Sequence, residues 1–159
     1  MPYRYLRASD WNNFEGRSFP IEGDATWNDQ YDELEIVVLD TIGDLAAVYG
    51  VADVAFVGGS LVGRGGHNPL EPAQFGVPVI IGSSFENFRD VVTKMQEADA
   101  IRIVNDGEEL EAAFLDLLTD RESARAVGER GRRVFEEQQG ATGRVVEALV
   151  GLVRDEVRR

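Results

Sequence analysis

The sequence contains no cysteine and no long apolar run. Without cysteine the chain forms no disulfide, and it offers no thiolate for catalysis or for a zinc site. A membrane helix needs roughly 20 predominantly apolar residues, and no run approaches that length. The first residues also lack the apolar core of a signal peptide. We therefore expect a soluble, cytoplasmic chain.

Positive charge is scarce as well. Lys and Arg number 16 against 29 Asp and Glu, which gives a net charge of −13, and Lys94 is the only lysine. This balance argues against nucleic acid as a partner and against direct contact with an anionic membrane surface. His67 is the only histidine, and no spacing of acidic residues is typical of metal ligands. The sequence predicts neither a metal site nor a bound cofactor.

From residue 36 onward, short apolar runs alternate with helical patterns, whereas residues 1–35 show no sustained period. This alternation predicts an α/β fold with a Rossmann-like, doubly wound parallel sheet. We assign residues 1–35 to an irregular N-terminal segment and residues 36–159 to one domain. The predicted strands are 36–39, 54–57, 78–81 and 100–104, and the predicted helices are 44–49, 69–75, 87–97 with Asn87 as its cap, 107–118, 121–138 and 142–157.

The stretch Gly58–Pro72 reads GGSLVGRGGHNPLEP and follows the predicted strand 54–57 directly. In open α/β sheets, ligands bind beyond the carboxyl ends of the strands, where Gly58, Gly59 and Ser60 fall. Five glycines within nine residues cost backbone entropy on folding and add nothing to a core. We therefore interpret the loop as one that lets a ligand approach the main chain. A tight turn without a ligand is the alternative. Neither a Walker loop nor the dinucleotide G-x-G-x-x-G pattern is present.

The same stretch ends in the signature of a helix start, with Asn68 as N-cap, Pro69 at the first helical position and Glu71 at the third. Backbone N–H groups and the helix dipole favour an anion at such a place. The Glu71 carboxylate either accepts hydrogen bonds from a ribose diol or completes a capping box with Asn68. The local chemistry predicts a nucleotide or nucleotide-sugar site.

Two further side chains fall near this site. His67 lies beside the glycines, where it either contacts a ligand or is simply solvated, and it has no obvious acid partner for general-base catalysis. Asn87 follows the predicted strand 78–81 at the same edge of the sheet. It is either a helix cap or a third polar group of the site.

The string GGSLVGRGGHNPLEP resembles the C-terminal half of the 3-deoxy-D-manno-octulosonic acid (Kdo) transferases, which have the GT-B glycosyltransferase architecture. The resemblance extends over roughly residues 36–150. It includes Asp40–Leu45, which is similar to the family's D-T-M-G-E-L, together with Ala52–Val57, Gly76–Val79, Glu86–Phe88 and Gln139–Ala141.

The resemblance implies the Rossmann-like C-terminal half of a GT-B enzyme, with residues 1–35 continuing a truncated half. It also implies CMP-Kdo as the donor. Gly58, Gly59 and Ser60 would then contact the phosphate, and Asn68 and Glu71 would reach the ribose. The full donor-binding set expected here is Gly58, Gly59, Ser60, Gly66, His67, Asn68, Glu71 and Asn87.

The activity implied by the resemblance is the transfer of Kdo from CMP-Kdo to a lipid A precursor in lipopolysaccharide biosynthesis. In this family the catalytic base and the membrane-associating surface belong to the N-terminal half, so we expect no catalytic residue in this chain and no activity of the chain alone. The full-length protein would work at the cytoplasmic face of the inner membrane. The alternatives are a stand-alone nucleotide-binding or interaction module without catalysis, and a GT-B domain for another nucleotide sugar.

Overall fold

The computed structural model of the protein describes residues 5–7, 36–39 and 41–157. The chain divides into two compact units, residues 1–51 and residues 52–159. The sequence analysis placed the division after residue 35. In the first unit, strand β1 (Tyr5–Arg7) pairs in parallel with strand β2 (Ile36–Val38). A short helix α1 (Leu45–Tyr49) follows, so the predicted strand 36–39 and the predicted helix 44–49 are both present.

The second unit is built on a three-stranded parallel sheet in the order β3-β4-β5. The strands are β3 (Ala55–Val57), β4 (Val79–Gly82) and β5 (Ile101–Val104). Helix α2 (Leu70–Ala73) connects β3 to β4. A 3₁₀ turn (Glu86–Phe88) and helix α3 (Arg89–Glu97) connect β4 to β5, and helices α4 (Gly107–Thr119) and α5 (Arg121–Val157) complete the unit. The predicted α/β class with a parallel sheet is confirmed.

The central strand β4 is buried on both faces, which explains its uninterrupted apolar run. Val79 and Ile81 face one core, which contains α2, α3 and Val134 of α5. Ile80 faces the opposite core, which contains α4 and the first turns of α5. The alternation follows from the two-residue period of a strand, and it closes both faces of β4 to a ligand.

Helix α5 is one continuous helix, so the predicted interruption between residues 138 and 142 is wrong. Gly140 lies in this stretch, but a glycine inside a helix costs only about 1 kcal/mol, and no proline follows it. Near its start, α5 passes the amino ends of the strands. There Arg130 donates from Nε to the Asp99 carbonyl at 2.8 Å and from Nη2 to Asp99 Oδ2 at 2.7 Å, which fixes the helix at this end of the sheet.

Candidate functional site

Two loops lie side by side at the carboxyl end of the sheet. The glycine loop, residues 58–67, follows β3, and the β4–α3 loop, residues 83–88, follows β4. Because β3 and β4 are parallel neighbours, with Val57 opposite Ile81, both loops leave the sheet at the same edge. The sequence analysis predicted this juxtaposition, and it brings Gly58, Gly59 and Asn87 to one edge of the sheet.

Ser60 is fully buried, and its hydroxyl is used twice within the fold. Ser60 Oγ donates to the Val57 carbonyl at 2.5 Å and accepts from the Gly82 N–H at 2.8 Å. A Cβ on Gly82 would collide with the Ser60 carbonyl, so the two strand ends approach this closely only because residue 82 is glycine. The hydroxyl is committed within the fold and the whole residue is buried, so contact between Ser60 and a phosphate stays a prediction.

Three backbone N–H groups of the glycine loop are occupied by hydrogen bonds within the protein, among them that of Arg64, which donates to the Val62 carbonyl at 2.5 Å. Gly66 donates to the Gly59 carbonyl at 3.1 Å, and Gly65 donates to Ser84 Oγ at 3.0 Å. Both glycines are buried and have positive φ, 78° at Gly65 and 69° at Gly66. These amides maintain the shape of the loop, so the candidate donors to an anion are the other N–H groups, those of Gly58 and Gly59 at the strand end among them.

His67 is exposed and lies against Gly59. A Cβ on Gly59 would be 3.4 Å from His67 Cδ2 and 3.5 Å from Nε2, so the ring covers the beginning of the glycine loop. Among the described residues, no carboxylate forms an ion pair with this imidazole. The position suits contact with a bound ligand and provides no partner for general-base catalysis.

Pro69, rather than the predicted Asn68, holds the N-cap position of α2, but the Asn68 side chain still bonds to the first turn of the helix. Asn68 Oδ1 accepts from the Leu70 N–H at 3.1 Å, and the Asn68 carbonyl accepts from the Glu71 N–H at 3.4 Å. The helix itself has only four residues, shorter than the predicted 69–75, and so short a helix contributes little macrodipole. Backbone N–H groups of the loop must then supply most of any stabilisation of an anion.

Glu71 is exposed on the first turn of α2. Its backbone carbonyl accepts from Gln74 Nε2 at 2.9 Å. Within the described part of the chain no hydrogen bond joins its carboxylate to the Asn68 N–H, so the capping-box interpretation is wrong. Both carboxylate oxygens are open to a ligand, as a ribose-binding role requires.

Asn87 does not cap α3, which corrects the capping prediction. Phe88 holds the N-cap position and makes no side-chain capping bond. Asn87 lies in the 3₁₀ turn and reaches back to the glycine loop instead. Its Nδ2 donates to the Arg64 carbonyl at 3.2 Å, and its N–H donates to the Gly65 carbonyl at 3.2 Å. A capping prediction depends on the residue types close to the helix start. It cannot reveal a contact with a residue 23 positions away along the chain.

Ser84 and Glu86 were not predicted from the sequence. Ser84 Oγ accepts from the Gly65 N–H and donates to Glu86 Oε2 at 2.9 Å. The backbone N–H of Glu86 and the Ser84 hydroxyl, with a smaller contribution from the Arg89 charge, lower the pKa of the Glu86 carboxyl below its usual value. Their position directly after β4, at the edge already assigned to the site, is the signal that points to them.

In the part of the chain that the structure describes, no three side chains among His, Asp and Glu are grouped to hold a metal ion. Over the same residues, no helix combines the length and the apolar character that crossing a membrane requires.

A glycine loop at the carboxyl edge of a parallel sheet is typical of α/β proteins that bind a ligand there, and comparison with known families identifies the class. The family of glycosyl transferases group 1 matches residues 33–134, and the chain belongs to it. The Rossmann-like sheet is thus that of the C-terminal half of a GT-B glycosyltransferase.

Within this family, the chain is similar to named Kdo transferases. It is 40% identical over 116 residues to the 3-deoxy-D-manno-octulosonic acid transferase of Haemophilus influenzae, a match that covers 72% of this chain and 27% of that protein. It is 34% identical over 116 residues to the enzyme of the same name from Bordetella pertussis, covering 73% of this chain and 27% of that protein. The chain therefore spans only about a quarter of the length of these relatives.

A solved structure shows the same fold. The crystal structure of the C-terminal CMP-Kdo binding domain of WaaA from Acinetobacter baumannii matches with a TM-score of 0.61 and 30% sequence identity. The match covers 64% of this chain and 53% of that one.

Proposed function

We propose that this chain is the donor-binding domain of a glycosyltransferase that moves Kdo from CMP-Kdo to a lipid A precursor in lipopolysaccharide biosynthesis. The observation that carries the proposal is the similarity to a domain that binds CMP-Kdo, at 30% identity and a TM-score of 0.61. The glycine loop at the carboxyl edge of β3 and β4 supports it, because this edge is where an open α/β sheet holds a nucleotide.

In the proposed complex, the donor phosphate lies against the strand end at Gly58 and Gly59. Backbone N–H groups there stabilise the charge that develops on the phosphate as CMP departs. The amide nitrogen of Asn68, whose Oδ1 is occupied by the bond to the Leu70 N–H, and the open carboxylate of Glu71 reach the ribose. His67 covers the loop from the solvent side.

The chain supplies donor binding and leaves the rest of the reaction to the N-terminal half of the full-length protein. The base that activates the acceptor, the contact with the lipid A precursor and any membrane contact belong to that half, at the cytoplasmic face of the inner membrane. The proposal includes no metal and no cofactor.

Amide NMR spectra of the chain, titrated separately with CMP, UDP and GDP, test the proposal. We expect CMP to shift the resonances of Gly58–Asn68 and to bind more tightly than UDP or GDP. A preference for UDP or GDP would overturn the Kdo assignment in favour of another nucleotide sugar. Resonances that stay unchanged at millimolar concentrations of all three nucleotides would remove the site altogether.

An activity measurement separates the donor-binding domain from a complete enzyme. We expect no product when the chain is mixed with CMP-Kdo and a lipid A precursor, because the proposal assigns the catalytic base to the N-terminal half of the full-length protein. Turnover by the chain alone would contradict this division of labour.

A further inference from the structure

The conformation of the glycine loop depends largely on hydrogen bonds to residues outside the loop. Four hydrogen bonds join it to the β4–α3 loop, and they come from only two residues. Ser84 donates from its backbone N–H to the Ser60 carbonyl at 2.8 Å and accepts the Gly65 N–H on its hydroxyl at 3.0 Å. Asn87 donates to the Arg64 and Gly65 carbonyls. The β4–α3 loop therefore fixes the loop at Ser60 and at Arg64–Gly65.

Glu86 sets the direction of the Ser84 hydroxyl. A serine hydroxyl rotates freely and can present either its proton or a lone pair to a neighbour. Glu86 Oε2 lies 2.9 Å from Ser84 Oγ, and an ionised carboxylate only accepts hydrogen bonds. The Ser84 proton therefore points to Glu86, which leaves a lone pair of Ser84 Oγ for the Gly65 N–H.

Packing between the two loops is as close as their hydrogen bonding. A Cβ on Gly65 would lie 2.5 Å from Asn87 Nδ2 and 2.6 Å from Asn87 Cγ, so the Asn87 amide fills the space that a side chain at residue 65 would need. The positive φ of Gly65, 78°, is compatible with this contact only because residue 65 is glycine.

We propose that Ser84, Glu86 and Asn87 are positioning residues that hold Arg64–Gly66 in the conformation in which the glycine loop receives the donor phosphate. Asn87 then acts on the donor through the loop rather than by touching it. The second half of this statement rests on the proposed function, whereas the hold on the loop is a property of the free chain and is tested without a ligand.

The free chain gives the first test. Removing the Ser84 hydroxyl in Ser84→Ala leaves the Gly65 N–H without its acceptor, so we expect hydrogen exchange at Gly65 to accelerate about 10-fold, since a single hydrogen bond contributes roughly that factor. Ser83→Ala is the matched control, because Ser83 is exposed and makes no hydrogen bond among the described residues. Unchanged exchange at Gly65 in Ser84→Ala would overturn the proposal.

The Glu86 carboxyl gives a second readout that a merely structural role would not move. The Ser84 hydroxyl is one of the groups that lower the pKa of Glu86, so in Ser84→Ala this pKa rises toward its usual value, while the backbone N–H still holds it partly down. Carboxyl-carbon NMR shifts followed against pH measure it. A Glu86 pKa equal in Ser84→Ala and Ser83→Ala would show that the hydroxyl does not point to Glu86.

Nucleotide affinity connects the hold on the loop to the donor. We expect Ser84→Ala and Asn87→Ala each to weaken CMP binding about 3- to 10-fold by calorimetry, and Ser84→Thr, which restores a hydroxyl, to recover most of the loss. Faster loop exchange with unchanged CMP affinity would overturn the positioning role. If the unaltered chain binds no CMP, the proposed function fails, whereas the exchange result still decides whether these residues hold the loop.

A change of fold in a variant is recognised by comparing thermal unfolding with that of Ser83→Ala. If Ser84→Ala unfolds at a lower temperature than Ser83→Ala, Ser84→Thr and Asn87→Ala provide the test instead. In that case Asn87→Ala must perturb the amide resonances of Arg64–Gly66 in the free chain, and their invariance would overturn the proposal.

Discussion

At the scale of single residues, Glu71 is a polar group of the site that the fold leaves open to a ligand. The Ser60 hydroxyl, Asn68 Oδ1 and the Asn87 amide are all committed to hydrogen bonds within the chain, whereas the Glu71 carboxylate is exposed and forms none among the described residues. A carboxylate has about four acceptor positions, enough for both hydroxyls of a ribose. Glu71 is therefore available to a nucleotide.

We expect Glu71→Ala to weaken CMP binding by about 1–3 kcal/mol, the range for hydrogen bonds to a charged group. Isothermal calorimetry on the chain measures this difference. Glu97→Ala is a suitable control, since Glu97 is an exposed glutamate at the far end of α3 and removes the same charge. Equal affinities of the two variants would reduce Glu71 to a surface residue of α2.

The residues of the site were predictable from the sequence to the extent that their roles are local. Asn68 Oδ1 accepts from the N–H two positions along the chain, at the start of α2. Ser84 and Asn87 act on residues 19 and 23 positions away. Such contacts depend on which strands become neighbours, and a local pattern does not contain that information.

At the scale of elements, the strands are the most predictable part of the fold. β3, β4 and β5 lie within one residue of their predicted bounds, because a buried parallel strand is recognised by an apolar run alone. The helices agree less well, since the end of a helix depends on packing as much as on propensity. An interruption was predicted between residues 138 and 142, yet α5 continues through it.

Helix α5 makes its closest approach to the backbone before β4 at Gly128. A Cβ there would collide with the Gly76 carbonyl and lie 2.8 Å from the Gly76 carbonyl carbon. Both atoms are backbone and have little freedom to move. We expect Gly128→Ala to lower the free energy of unfolding by about 1–3 kcal/mol, the usual range for overpacking, as measured by urea denaturation.

One turn further along the same helix, Gly131 provides the matched control. A Cβ on Gly131 would meet Ala73 Cβ at 3.5 Å and the Ala100 carbonyl at 3.6 Å, which are ordinary contacts. Gly131→Ala should therefore gain up to about 1 kcal/mol from helix propensity. Similar changes in the two variants would show that α5 does not approach the sheet at Gly128 as closely as the structure indicates.

At the scale of the whole molecule, the net charge and the proposed ligand have the same sign. The chain carries −13, and CMP is an anion, so the average field of the protein repels it. Near the glycine loop, however, the cationic side chain of Arg64 and the imidazole of His67 are exposed. Repulsion by the distant acidic residues therefore competes with attraction by Arg64 and His67. Salt weakens the repulsion more, since it screens charges that are far from the ligand more than charges in contact with it.

Raising sodium chloride from 0.01 M to 0.15 M shortens the screening length from about 30 Å to about 8 Å. Most of the 29 acidic residues lie outside the two loops, so their repulsion is screened first, and we expect CMP affinity to rise about 2- to 5-fold over this range. Calorimetry at both salt concentrations measures the change, with uncharged cytidine as the control for effects of salt on the fold. A CMP affinity that falls with salt, while that of cytidine stays constant, would mean that Arg64 and His67 attract the phosphate more strongly than the rest of the chain repels it.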